Sequence, residues 1–170
     1  MFDRALQLTA DAFRMSPAVW ERHASPWSVW TRFATFPFML TALWSVHWIG
    51  WWASLPIGAL IGWLALNPRL FPPPDHTTSW AARGVMGERV YLARHDIPVP
   101  AHHVRAARVL GGMATAGAMA MFGGLALHEP NTFIGGAMMT ILSKAWFVDR
   151  MAWLFDDMSR REPRYAAWLR

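Results

Sequence analysis

The chain of 170 residues has no cysteine, which excludes a disulfide framework and thiolate metal sites and leaves its compartment undefined by redox chemistry. Charge is scarce as well. Charged residues make up 16%, against the quarter or so usual in soluble domains. Lysine is nearly absent: of 16 basic residues, Lys144 is the only one that is not arginine. The opening "MFDRALQLTADAF" has acidic residues and no continuous apolar centre, so it does not read as a secretory signal. No H-E-x-x-H, Walker glycine loop or G-x-S-x-G is present, which removes the common zinc-protease, nucleotide and serine-hydrolase signatures.

Hydrophobic residues make up 54%, with 12 Trp and 10 Phe against 2 Tyr. A bilayer offers two interfaces that favour Trp. Residues 33–66, "FATFPFMLTALWSVHWIGWWASLPIGALIGWLAL", contain no Lys, Arg, Asp or Glu. That run is too long for one span of about 20 residues, and its turn-prone centre "HWIGWW" predicts a hairpin. A second apolar region runs from Val109 to Met151 and is interrupted at "LHEPN", where Pro130 restarts a helix. The pattern predicts an all-α, polytopic membrane protein with four transmembrane helices in two hairpins, at about 32–48, 50–66, 108–128 and 132–152. Short interfacial and cytoplasmic helices occupy the rest.

As one integral domain, the chain then divides into cytoplasmic or interfacial helices (1–31), a hairpin (32–66), a cytoplasmic loop with an interfacial helix (67–107), a second hairpin (108–152) and a tail (153–170). Every cation falls outside the two short outer turns. By the positive-inside rule both termini and the central loop face the cytoplasm, which predicts a multi-pass protein of the cell (inner) membrane. Phe2, Ala5, Leu6 and Phe13 share a helical face at the start. Ser16-Pro17 and Ser25-Pro26 read as N-cap and N1 pairs, each opening a Val-Trp-x-Arg element that ends in Arg22 or Arg32. In the loop, Trp80, Gly84, Gly87 and Tyr91 fall on one face, which predicts close backbone packing.

Small residues at four-residue spacing predict helix seams: Ser54, Gly58 and Gly62; Gly112, Ala116, Ala120 and Gly124; and Gly136 and Thr140, which lead to Lys144. An amine near the bilayer is costly unless it is paired or reaches the interface. Asp149, Glu88 and Asp96 are candidate partners for Lys144, with Asp149 favoured. A cytoplasmic-side cluster of Arg69, Glu88, Arg89, Lys144, Asp149 and Arg150 is the candidate headgroup and ion-pair site, and arginines beside the inner leaflet attract anionic lipid. His47 and His128 end two predicted helices at similar depth and are candidate ligands to a haem iron or a chlorin magnesium. His102 and His103 are neighbours whose directions diverge by about 100° on a helix, which argues against shared chelation. No residue set reads as catalytic or as a metal site, and nucleic-acid binding is a poor reading of charges that flank membrane spans.

With "NPRLFPPP", "GER" and "WFVDRMAWLFDDM", the chain resembles a family of small uncharacterised prokaryotic multi-pass membrane proteins. That resemblance implies no activity and no catalytic residues, only that the three motifs belong together on the cytoplasmic side. The leading expectation is a non-catalytic accessory or structural subunit packed in the bilayer, alone as a homo-oligomer or within a larger membrane complex. An inner-leaflet protein or enzyme that binds anionic lipid or phosphate is the first alternative, and a haem- or pigment-binding subunit the second.

Overall fold

A helix of 32 residues, Pro130–Arg161, packs against the helices at Ala101–Ala126 and Trp80–Leu92 in the most extensive interfaces of the described structure. The computed structural model describes residues 16–170; the amphipathic face expected at Phe2 to Phe13 lies outside the described residues. In chain order the helices are α1 (Pro17–His23), α2 (Pro26–Trp44), α3 (Val46–Ile49), a 3-10 turn (Gly50–Ala53), α4 (Ser54–Leu70), α5 (Trp80–Leu92), α6 (Ala101–Ala126), α7 (Pro130–Arg161) and α8 (Pro163–Ala166). The described residues contain no strand, and the all-α class expected from the sequence is what they form.

Proline and serine start several of these helices for local reasons. Ser16 Oγ accepts from the amide of Val19 at 3.4 Å and Pro17 follows it, a side-chain cap with proline at N1. Ser25 occupies the same position before Pro26 but makes no side-chain cap bond. Ser79 caps α5 by accepting from Ala82 N at 3.2 Å. The two hairpin tips turn by different means. In the first, Gly50 takes φ 58°, a conformation glycine adopts without steric cost. In the second, His128 takes φ 57°. Around it, Glu129 N donates to Gly124 O at 2.8 Å and His128 N to Leu125 O at 3.3 Å. These bonds form a Schellman cap with a histidine where glycine usually stands.

By length and composition two stretches qualify to cross a membrane, residues 26–70 and Ala101–Ala126. The first is the α2–α4 hairpin, with helices of 19 and 17 residues, about 28 and 25 Å long at 1.5 Å per residue. Compared with the expected segments at 32–48 and 50–66, α2 starts earlier and α4 runs later. The whole of 45–53 is consumed by the tip.

The seam between α6 and α7 corrects one expectation. Gly112, Ala116 and Ala120 are exposed, and the buried positions of α6 are His103, Ala107, Leu110, Gly111, Gly117, Met121 and Gly124. Of the expected row only Gly124 lies in the interface. A strict four-residue step advances 400° around the helix and drifts about 40° each time, whereas the real contact alternates steps of three and four. On α7 the expected residues are in place. A Cβ on Gly136 would collide with Met121 and Gly117 backbone, and one on Gly117 would sit 2.8 Å from Thr140 N. On α4, Gly58 and Gly62 have open space around them, so the Ser54–Gly58–Gly62 row packs on no described helix.

The C-terminal half of α7 carries the larger core. Phe147, Met151, Leu154, Phe155 and Met158 are buried there against Val85, Val90 and Tyr91 of α5. Gly84 and Gly87, on the face expected from the loop sequence, lie directly against Val148 and Met151. A smaller cluster of Met121, Phe133 and Ala137 receives Phe36, Leu40, Leu43 and Trp44 from α2, joining the two hairpins. Replacing Gly117 by Leu should destabilise the fold by overpacking, at a cost of about 1–3 kcal/mol, whereas Ala120→Leu should be mild. Melting temperatures of the two variants in one detergent check this assignment, and equal values would contradict it.

Candidate functional site

Where α1, α2, α4, α5 and α7 meet, they line an open-sided cavity of about 440 Å³. Its walls include Val29, Phe33, Phe36, Met39 and Leu64, with Val85 and Val148 beneath. Four ionisable side chains, His23, Arg32, Glu88 and Lys144, and the hydroxyl of Thr35 interrupt this apolar lining. Lys144 Nζ lies 3.6 Å from Glu88 Oε1, with the lysine side chain 47% exposed and the glutamate 14%. The same ammonium stands 4.8 Å from the centre of the Phe147 ring. A tight charge-assisted bond would be about 2.7–2.9 Å. The ammonium therefore retains donor capacity toward the cavity.

The chain places these groups by backbone proximity. Glu88 follows Gly87 on α5, and Lys144 precedes Val148 by one turn on α7. Once the glycines let α5 settle on Val148 and Met151, the glutamate and lysine are brought side by side. Asp149, the favoured partner from sequence, instead accepts from Trp80 Nε1 at 3.0 Å. Five residues beyond Lys144 on the helix, it lies toward the opposite flank.

His23 is buried and anchors a hydrogen-bonded chain. Ser28 donates its hydroxyl to Asn67 Oδ1 at 2.8 Å, so it accepts from His23 Nδ1–H at 3.2 Å. That tautomer leaves His23 Nε2 as the acceptor for Arg32 Nη1 at 3.4 Å. Burial first, then the charges of Arg32 and Lys144, push the imidazole down to about 3. It is therefore neutral at physiological pH, a polar support for Arg32 rather than a third cation. Asn67 also donates to Thr31 Oγ1 at 2.9 Å, and Trp63 Nε1 donates to Thr35 Oγ1 at 3.0 Å. These bonds tie α4 to α2 along the cavity's edge.

The other members of the expected cationic cluster are held elsewhere. Arg89 stacks over Trp168 at 4.1 Å and Arg150 over Trp153 at 4.6 Å. Arg69 donates to Ala65 O at 2.7 Å, while its own carbonyl accepts from Arg22 at 2.9 Å. Arg83 pairs with Asp156 at 2.8 Å. Of the six residues, then, Glu88 and Lys144 share the cavity. Sequence reasoning missed Arg32 and His23 as their companions. The one available signal was the second Val-Trp-x-Arg element, which puts Arg32 at the edge of the uncharged run.

At the hairpin tips the structure brings His47 and His128 together, with ring centroids 3.8 Å apart and planes inclined by 41°. Trp44 meets His47 at 4.7 Å and Phe133 at 5.1 Å in the same cluster. Rings in van der Waals contact leave no room for a macrocycle between them, so this pair does not form a two-histidine haem or chlorin site as it stands. Its evident role is to join the tips of the two hairpins.

Residues 6–169 match the model of a family of unknown function. The chain belongs to that family, DUF6653. No curated protein and no solved structure matches it. The family description assigns no reaction, so the cavity is the basis for any functional reading.

Because Lys144 is about half exposed, its pair with Glu88 should count for less than the 3–5 kcal/mol of a fully buried one. Lys144→Met should cost about 1–2 kcal/mol, between the surface and buried limits. Adding Glu88→Gln should recover part of that loss, because no carboxylate is then left uncompensated. A double-mutant cycle on unfolding free energy checks the coupling, and strictly additive effects would show the two residues to be independent.

Proposed function

We propose that this DUF6653 chain is a non-catalytic integral membrane protein that holds an anionic amphiphile in the Arg32–Lys144 cavity at the cytoplasmic face. The observation that carries the proposal is an apolar cavity with two cations and one carboxylate on its wall. With His23 neutral, the wall carries one net positive charge. A ligand with an acidic head and an apolar body would complement both parts, as expected of a pocket that fixes orientation with a few polar groups. An anionic phospholipid of the inner leaflet has that chemistry and is already at hand.

Membrane embedding rests on the outward-facing side chains. Phe38 is 67% exposed, Trp48 and Trp51 each 70%, Leu55 63% and Met119 71%. A soluble monomer rarely carries so continuous an apolar surface. In a bilayer the aliphatic residues face acyl chains and the Trp residues at the α3 tip sit at headgroup level. We place four helices in the membrane: α2, α4, α6 and the first part of α7. Beyond Lys144, α7 acquires Asp149, Arg150, Asp156 and Asp157, and this charged half extends into the cytoplasm with α5. Arg105 and Arg108 mark the corresponding edge of α6. The long α6 and α7 helices, of 26 and 32 residues, thus serve as both spans and cytoplasmic supports. Packing as an accessory subunit is compatible with this reading, and the open Gly58 and Gly62 face of α4 leaves room for another membrane helix.

Reporter fusions after Asp75 and Arg170 should report the cytoplasm, and one after Pro130 the outside. An external signal at Asp75 would overturn the arrangement. For the ligand, the protein is placed in nanodiscs of phosphatidylcholine alone or mixed with phosphatidylglycerol. The anionic lipid should raise the melting temperature and be retained in native mass spectra, by a margin of roughly 1 kcal/mol per cation engaged. Arg32→Gln should lose most of that gain. Equal stabilisation by both lipids, or an undiminished gain in the Arg32 variant, would reject the amphiphile site.

A further inference from the structure

At the cytoplasmic start of α6, His102 and His103 lie beside Asp157 of α7. His103 Nε2 is 2.9 Å from Asp157 Oδ2. The two imidazole rings, which helical geometry alone sets about 100° apart, are brought to a centroid distance of 4.1 Å by their side-chain torsions. One nitrogen from each histidine and one carboxylate oxygen all lie within 4.8 Å of one another.

We propose that His102, His103 and Asp157 form a binding site for a divalent transition-metal ion, with Zn²⁺ as the representative cation. Two imidazoles and a carboxylate are a donor set that late first-row divalent ions accept and that Mg²⁺ and Ca²⁺ do not favour. Ligands around a tetrahedral zinc at about 2.0–2.1 Å stand about 3.3 Å from one another. The His103–Asp157 pair has only to open by a few tenths of an ångström, while His102 swings inward from the surface.

The three residues differ in a way that suits the site. His103 is fully buried, Asp157 half-buried and His102 exposed. One ligand is therefore fixed by packing, while another stands in solvent at the point of entry. His103 Nδ1 is buried without a hydrogen-bond partner, so the ring's one polar tie is the bond to Asp157. Metal entry at Nε2 has a single hydrogen bond to replace, and the Nε2 proton is taken up at the vacant Nδ1, so the ligand stays a neutral imidazole. Asp157 brings a carboxylate to the site. That negative charge offsets the positive end of the α6 dipole, which would otherwise repel a cation. Three protein ligands leave a fourth position for water. The ion would fasten the start of α6 to the charged half of α7, at a place where the two helices have left their shared glycine seam.

The test uses the full chain purified without a histidine tag and stripped with chelator. Titration with Zn²⁺ should give one saturable site per chain and a melting temperature that climbs with free zinc, whereas Mg²⁺ should do neither. His102→Ala, at an exposed position, should fold as well as the parent in chelator yet bind zinc at least about tenfold more weakly. Asp157→Asn should weaken binding similarly. His128→Ala, at the opposite end of the molecule, should leave it unchanged. Absence of a stoichiometric site, parental affinity in His102→Ala, or loss of binding in His128→Ala would each overturn the proposal.

Discussion

The approach of α5 to α7 at Gly84 and Gly87 is the constraint on which the packing around the C-terminal half of α7 depends. Any Cβ at these positions would run into Val148 and the Met151 carbonyl. Because glycine stands there, the helices meet backbone to backbone. Tyr91, Val90 and Val85 then close over Phe147, Met151 and Phe155. The same approach brings Glu88 to Lys144 and Trp80 to Asp149. A bulkier helix face would separate each of these pairs, and the cavity would lose its charged wall. The ion pair is thus a consequence of packing and not its cause. This explains how a lone lysine is tolerated beside an apolar cavity, where an isolated ammonium is expensive.

A different kind of contact holds the first hairpin. Helices can be joined by small residues that let backbones approach or by interhelical hydrogen bonds, and this chain uses both. The α6–α7 pair uses small residues, with Gly117, Gly124 and Gly136 allowing backbone contact. The α2–α4 pair uses polar side chains. Ser28, Thr31 and Thr35 meet Asn67 and Trp63, and His23 extends that chain to Arg32. Asn67 and Ser28 are wholly buried, and each has its partner, as buried polar groups require. The cavity lies between these two modes of packing, bounded by the polar chain and by the glycine contact.

The C-terminal end ties down the segments between helices without lining the cavity. Thr77 exchanges hydrogen bonds with the backbone of Arg170, whose guanidinium pairs with Glu21 at 3.1 Å. The extended stretch after α4, stiffened by Pro72, Pro73 and Pro74, is thereby fastened to both the chain's end and α1. Trp168 fills the space under Arg89. The arginines that look most available for a ligand in the sequence are thus partly used in joining the segments between helices.

Periodicity and charge placement by themselves determined the all-α class, the two hairpin tips, the glycine–aromatic face of α5 and the apolar stripe of α7. These are local properties: a helix face repeats every 3.6 residues, and an uncharged run is visible without knowing its neighbours. The tertiary structure decided which face of α6 meets α7, because a one-residue difference in step accumulates into a rotation that only the partner helix can select. It also decided that Lys144 meets Glu88 and not Asp149, that Arg32 and His23 join them, and that His103 reaches Asp157. Those pairings span from 54 residues, His103 to Asp157, up to 121, His23 to Lys144, and depend on how closely helices approach. That distance is set by the volume of side chains at the crossing points, which a linear pattern does not encode.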